Sequence, residues 1–354
     1  MILRVGLVQT RTPATHAGAL AHVAPLVRQA AEDGARLIVT PEGTNILQKD
    51  RERLLPVLTS AEDDPVVAGL RDLARELAVW LDIGSALVRR EDGKAANRQL
   101  LIAPDGAIAA TYDKLHMFDV DLPTGETARE SATYEPGDRA VVVDAAGARL
   151  GLTICYDMRF PALYRALALA GANVIALPAA FTRPTGEAHW EILIRARAIE
   201  TGSFILAAAQ GGFHEDGRGT WGRSTIVAPW GEIVGKLDHD EPGVLVADLF
   251  RERRRRRRHA RSRRGTRRRR ATRASDRMVS GDPGPARPPS RNRFSACGTP
   301  LSIRGSERRT RAVLQCHRDR RGLRRGSRQS GLRSRRNRTA RLGDRRLSRC
   351  LGPR

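Results

Sequence analysis

The chain opens with an alternating, β-rich run over residues 2–9. Apolar residues at helical spacing follow over 17–31, and a second apolar run occupies 36–40. That order predicts a β-α-β start. A second helix is predicted over 65–77, with strands over 79–88 and 98–103. The turn Pro104-Asp105-Gly106 then predicts a hairpin completed by 107–112. Residues 140–144 and 148–154 pair around Ala145-Ala146-Gly147. Beyond them the pattern predicts a helix at 161–170, a strand at 173–178, an amphipathic helix at 185–200 and a strand at 203–209. Strands at 224–228, 232–236 and 244–248 follow, the first two joined by Pro229-Trp230-Gly231.

These strands come in pairs between paired helices, whereas a doubly wound sheet alternates strand and helix one to one. The expected fold is therefore α/β, with two sheets packed face to face and helices outside, a four-layer α-β-β-α sandwich. Such a fold leaves reactive side chains on loops at strand ends. The stretch 114–137 breaks the periodicity with Pro123, Gly125, Pro136 and Gly137. It is longer than a plain connection needs, which points to a functional loop.

Composition divides the chain in two. Residues 251–354 hold 38 Arg, no Lys and 6 acidic residues, a net of +32, which leaves −8 on residues 1–250 of a chain whose total is +24. The body's charge gives no reason to expect a polyanion partner. We therefore expect one domain over 1–250 and an Arg-rich, low-complexity tail over 251–354. The tail has one Phe, no Tyr or Trp and almost no apolar periodicity, so it cannot offset its ordering entropy and is expected to be disordered. Three readings of it stay open. A nucleic-acid arm normally mixes Lys with Arg, and a membrane-surface segment wants an apolar face that is missing here. Out-of-frame translation of GC-rich DNA would yield Arg, Ser, Gly and Pro in bulk without Lys, and is preferred on composition. Nucleic acid is then expected only as a non-specific partner of the tail. The first ten residues lack the features of a signal peptide, and no run supplies the roughly 20 apolar residues of a membrane span, so no membrane association is expected. With Cys155 the only cysteine before residue 251, a disulfide framework is absent and a cytoplasmic location fits best.

Three ionisable residues end apolar strands. Glu42 follows the run 37–41, Lys114 follows 108–113, and Cys155 closes 149–154 just before a predicted helix at Pro161. A strand-end Glu or Lys is ordinarily a solvated charge, and a buried thiol is ordinarily a small hydrophobe. Together the three form a complete set for acyl transfer. Glu42 can take the thiol proton and later activate water. Lys114 can lower the thiol pKa and donate to the oxyanion of a tetrahedral intermediate. The backbone N–H of Tyr156 is a natural second donor.

On these residues the chain resembles the nitrilase superfamily of carbon–nitrogen hydrolases from residue 1 to about 249. Pro41-Glu42-Gly43 is similar to that family's glutamate motif, YDKLHMFD at 112–119 to its lysine motif, and GLTICYDMRFP at 151–161 to its cysteine motif. The resemblance implies an α-β-β-α sandwich, a Glu42–Lys114–Cys155 triad, thioester catalysis, no metal, no cofactor and a homodimer. It also implies a second glutamate supporting the lysine, which falls at Glu130, with Glu126 its nearest competitor. The segments 155–161, 185–190 and 195–201 resemble amidases that act on small carboxylate-bearing amides, of the ω-amidase and deaminated glutathione amidase kind. Tyr156-Asp157, in place of Trp-Glu, favours amide over nitrile. Arg159 is the candidate to grip a substrate carboxylate, with an ion pair to Asp157 or Glu42 as its alternative role. Phe181 and Thr182 are candidate pocket walls. His116 and His189 are expected to be structural hydrogen-bonding residues, and Asp113 and Asp119 loop-capping acids. N-carbamoyl-amide hydrolysis or nitrile hydrolysis on the same triad, or an inactive member whose tail binds nucleic acid, remain the alternatives. Members of the family continue past the last strand with a helix and a closing segment, whereas here residues 249–253 run straight into polyarginine.

Overall fold

The structure, a computed structural model, describes residues 2–121, 125 and 127–250, and the backbone of a strand at 312–315. Strand β1 (Ile2–Gln9) leads into α1 (His16–Glu32), which Thr15 caps through its side-chain oxygen, and then β2 (Leu37–Val39). A one-turn helix α2 (Arg51–Leu54) precedes α3 (Pro65–Leu77), where Asp64 accepts from the N–H groups of Val66 and Val67 and Pro65 fills the first turn. Next come β3 (Trp80–Arg89), β4 (Ala95–Ile102) and β5 (Ile108–Asp113). The long irregular stretch carries a short hairpin, β6 (Asp119–Asp121) with β7 (Thr127–Arg129). The second half contains β8 (Arg139–Ala145), β9 (Ala148–Leu152), α4 (Pro161–Leu169), β10 (Val174–Ala176), α5 (Arg183–Thr201) and β11 (Phe204–Ala207). It ends with the hairpin β12 (Gly211–Phe213) and β13 (Gly219–Trp221), then β14 (Thr225–Val227), β15 (Ile233–Lys236) and β16 (Gly243–Phe250).

Two sheets result, ordered β16-β1-β2-β3-β4-β5 and β15-β14-β11-β10-β9-β8, with the backbone of β17 (Ala312–Gln315) added antiparallel beside β8. Apart from that strand, the expectation of a disordered tail lies outside the described residues. Side-chain alternation makes the layers. In β1, Leu3, Val5 and Leu7 enter the apolar core shared with the second sheet, while Val8 faces the helical side with Val23, Val27 and Leu70. α4 and α5 cover the other sheet through Leu163, Tyr164, Leu167, Trp190 and Ile194. The expected four layers are thus present.

Gly84 sits where β3 passes the end of β2. A β-carbon there would lie 1.7 Å from the Thr40 carbonyl oxygen and 2.4 Å from Pro178. Only glycine lets these backbones meet. Thr40 and Pro178 stand beside the segments that carry Glu42 and Cys155, so this approach brings both strand ends to one place.

Candidate active site

Glu42, Lys114 and Cys155 are all buried and line one cleft of about 760 Å³. Lys114 Nζ lies 2.8 Å from Glu42 Oε1 and 2.9 Å from both carboxylate oxygens of Glu130. Glu130 thus stands against Lys114, where the second glutamate was expected. Its Oε2 also accepts from the Phe118 N–H at 2.7 Å, which fixes the loop that carries it. Its competitor, Glu126, lies outside the described residues. Glu42 also hydrogen-bonds the Cys155 thiol, and its Oε2 accepts from the Ala180 N–H at 2.9 Å.

Cys155 occupies φ +46°, a left-handed conformation that costs a non-glycine residue roughly 1–3 kcal/mol. Its N–H donates to the Pro178 carbonyl at 2.8 Å, holding the bend open toward the cleft.

The electrostatics define the resting protonation states. Burial pushes the Glu42 carboxyl up, but the adjacent Lys114 charge and hydrogen bonds from Lys114, Cys155 and Asn97 outweigh it and hold the group below its usual range. Burial would lower Lys114, yet the charges of Glu130 and Glu42 keep it well above an ordinary lysine. Cys155 goes the other way. Burial and then the Glu42 charge raise its thiol well above the ordinary value, and Lys114 only partly opposes them. The expected lowering by Lys114 is thus present, but burial and the Glu42 charge outweigh it. The resting set is carboxylate, ammonium and neutral thiol, with the Glu42 carboxylate beside the thiol.

Tyr156, Arg159, Phe181 and Thr182 line the same cleft. The Arg159 guanidinium lies 5.8 Å from the Tyr156 ring centre and 5.7 Å from that of Phe181, and its Nη2 is 3.2 Å from His189 Nδ1. It has no acidic partner among the described residues, so the alternative pairing with Asp157 or Glu42 is not made. Phe181 packs edge-on against Trp190, and Thr182 begins α5, with its hydroxyl 2.8 Å from that of Thr185. His116 and His189 are hydrogen-bonding residues, as expected. Asp119 accepts from the Ser131 N–H, as a capping acid would. Asp113 instead makes a two-pronged ion pair with Arg98 at 2.7 and 3.0 Å, because strand pairing puts the two residues directly opposite.

Sequence reasoning missed Asn97. Its Nδ2 donates to Glu42 Oε1 at 2.8 Å and to Glu130 Oε1 at 3.2 Å, tying the two acids together. The signal was present: in β4, Asn97 and Gln99 occupy the alternate positions that Leu101 shows to face the second sheet. Polar side chains there require partners. Among the described residues, no group of three or more His, Cys, Asp and Glu side chains is placed to hold a metal ion, and no helix is long and apolar enough to cross a membrane.

Comparison with known proteins agrees with this geometry. Residues 4–259 match the family described as carbon–nitrogen hydrolase. The chain is 43% identical over 220 residues to a deaminated glutathione amidase of Yersinia enterocolitica, covering 61% of this chain and 76% of that relative. It is 40% identical over 232 residues to the human enzyme of the same name, covering 64% and 70%. Among solved structures, the C. elegans NitFhit protein aligns with a TM-score of 0.66 at 30% identity, over 70% of this chain and 60% of that one. An amidase from Nesterenkonia, in a mutant form carrying acrylamide added at its active-site cysteine, aligns with a TM-score of 0.61 at 28% identity, over 70% and 93%. A buried Glu-Lys-Cys cluster at the mouth of a four-layer sandwich, matched by sequence along nearly all of the described body, places the chain in the carbon–nitrogen hydrolase family of the nitrilase superfamily, as an amidase-type hydrolase.

Proposed function

We propose that the protein is a thiol amidase that cleaves the terminal amide of a small carboxylate-bearing compound, of the deaminated glutathione or α-ketoglutaramate type, to an acid and ammonia. The observation that carries this reading is the contact of one carboxylate, Glu42, with both the Cys155 thiol and the Lys114 ammonium. In the first half-reaction the Cys155 sulfur attacks the amide carbon while its proton passes to Glu42. The oxyanion that forms is stabilised by Lys114 and the Tyr156 N–H. Glu42 returns the proton to the departing nitrogen, the carbon–nitrogen bond breaks, and ammonia leaves a thioester on Cys155. Water then attacks the thioester, with its proton taken by Glu42 and passed back to the thiol. Glu130 and Asn97 hold Lys114 and Glu42 in register throughout.

Arg159 supports the choice of a carboxylate-bearing substrate, because a half-buried guanidinium framed by two aromatic rings and free of any described acid is suited to a two-pronged contact. Phe181, Thr182 and Tyr156 would then shape the pocket around the acyl chain. We further propose a cytoplasmic homodimer. Exposed Ile192 and Ile199 on α5 and Trp230 beside them form an apolar face that a second copy would cover.

Ammonia release from deaminated glutathione, α-ketoglutaramate and a simple nitrile tests the reading. Release from an amide, its loss in Cys155→Ala and no release from the nitrile are expected. Full activity in Cys155→Ala, or no ammonia from any amide, would overturn it. Arg159→Ala is expected to raise KM at least tenfold for a carboxylate-bearing amide, about the 1.4 kcal/mol worth of one charged hydrogen bond, while sparing a neutral short-chain amide.

A further inference from the structure

The carboxylate of Asp157 is completely buried and receives four donors, none of which belongs to the reacting set. Oδ1 accepts from the His116 backbone N–H at 3.1 Å and lies 2.7 Å from His116 Nδ1. Oδ2 accepts from the Tyr112 hydroxyl at 2.6 Å and from the Ile154 N–H at 2.9 Å. A carboxylate offers about four lone-pair sites, so this one is saturated. The donors flank the two reacting groups: Tyr112 and His116 stand two residues either side of Lys114, and Ile154 immediately precedes Cys155. Each segment also has an independent grip. The His116 ring stacks on Phe160 at 3.6 Å and 8°, immediately before α4 begins at Pro161. Tyr112 is fully buried, and burial together with the Asp157 charge raises its hydroxyl well above the ordinary range, so it stays a donor.

We propose that Asp157 is a positioning residue that sets the distance between the Lys114 ammonium and the Cys155 thiol by clamping both segments to one buried charge. The strained backbone of Cys155 makes such a clamp necessary, because a φ of +46° persists only where its surroundings over-determine it. Besides the Cys155 N–H on Pro178 and the Asp157 N–H on the Ile154 carbonyl at 3.0 Å, the Ile154 N–H on the Asp157 carboxylate restrains that bend. An asparagine at 157 keeps the size but replaces one acceptor with a donor that would face the donors already there. It would thus release either the lysine side or the cysteine side of the clamp.

This proposal rests on the assignment of Lys114 and Cys155 as the reacting pair, and its test is read in two ways that separate it from that assignment. Asp157→Asn, Tyr112→Phe and His116→Ala are compared with the parent for kcat and KM on the best amide substrate, for the rate at which iodoacetamide alkylates Cys155, and for melting temperature. A misplacement of about 1 Å costs on the order of 100-fold. Asp157→Asn is therefore expected to lose roughly 10- to 100-fold in kcat with KM within about twofold, and to slow alkylation by a similar factor. The two single-donor variants are expected to lose less, each in both readouts. Should Asp157→Asn not fold, Tyr112→Phe and His116→Ala decide the matter alone. Variants that lower the melting temperature but leave kcat and alkylation within twofold of the parent would overturn the proposal. If the parent itself releases no ammonia, the amidase assignment fails, while the alkylation rates still test the clamp.

Discussion

At the scale of single residues, the site is a problem of keeping two buried charges, Glu42 and Lys114, and one buried thiol in defined protonation states. Glu42 sits below its usual range because Lys114, Cys155 and Asn97 overcome its burial, and Lys114 sits well above its usual range because Glu130 and Glu42 do the same for it. A base held down stays ionised as pH falls, and an acid held up stays protonated as pH rises. The expected profile of kcat/KM is thus flat across neutrality, with its acid limb below about 4.5 and its alkaline limb above about 10.5. A limb near 6.5, measured on a substrate whose own ionisation is constant, would contradict this pairing. The meeting of Glu42, Lys114 and Cys155 in one cleft was legible in the sequence, since each ends an apolar strand and the flanking motifs resemble one family. Glu130 was legible only by that resemblance. Asn97 and the clamp on Asp157 were not read, because their importance depends on partners such as Glu42, 55 positions from Asn97, and Tyr112, 45 positions from Asp157, that only the fold brings into contact.

At the scale of elements, helix positions were read from apolar spacing and caps. α3 runs over the predicted residues, and α5 exceeds its predicted span by two residues at its start, where Pro184 is accommodated in the first turn, and by one at its end. The pairing of β1 with β16 was not legible, as it joins positions more than 230 apart in sequence, and neither were the short hairpins β6–β7 and β12–β13, which carry no strong alternation. The central strand β3 contains an unusual acid. Asp82 is fully buried, Gln99 Nε2 donates to its Oδ2 at 2.7 Å, and both Asp82 Oδ1 and Gln99 Oε1 lack partners. Burial raises Asp82 to about 7 from 3.8, against the Gln99 bond. One proton on Oδ1 would complete a two-bond acid–amide pair. The raised value means the folded state holds a proton that the unfolded chain releases between pH 3.8 and 7. Stability contributed by this group is therefore lost as pH rises through that window, by at most about 4 kcal/mol at ~1.4 kcal/mol per unit. Asp82→Asn supplies a permanent donor to Gln99 and is expected to melt higher than the parent at pH 8, by a margin that shrinks at pH 5. An equal margin at both pH values would contradict the buried acid.

At the scale of the whole molecule, the body and the arginine-rich tail make separable predictions. A homodimer built on α5 is expected to run as twice the chain mass by light scattering and to fall to a monomer in Ile192→Asp with Ile199→Asp; a parent that is already monomeric would refute that interface. Removing 251–354 takes +32 from the chain. Any nucleic-acid affinity is expected to vanish with it and, in the intact chain, to weaken steeply with salt, while amide hydrolysis is retained. All of this is secondary to one chemical claim, that Cys155 carries the acyl group. The most direct test is rapid acid quench of the enzyme during turnover of its best amide, followed by intact and peptide mass measurement. The account predicts a transient mass increase equal to the acyl group, meaning substrate less ammonia, located on Cys155 and absent from Cys155→Ala. Steady ammonia release with no adduct under single-turnover conditions, or an adduct on another residue, would contradict it.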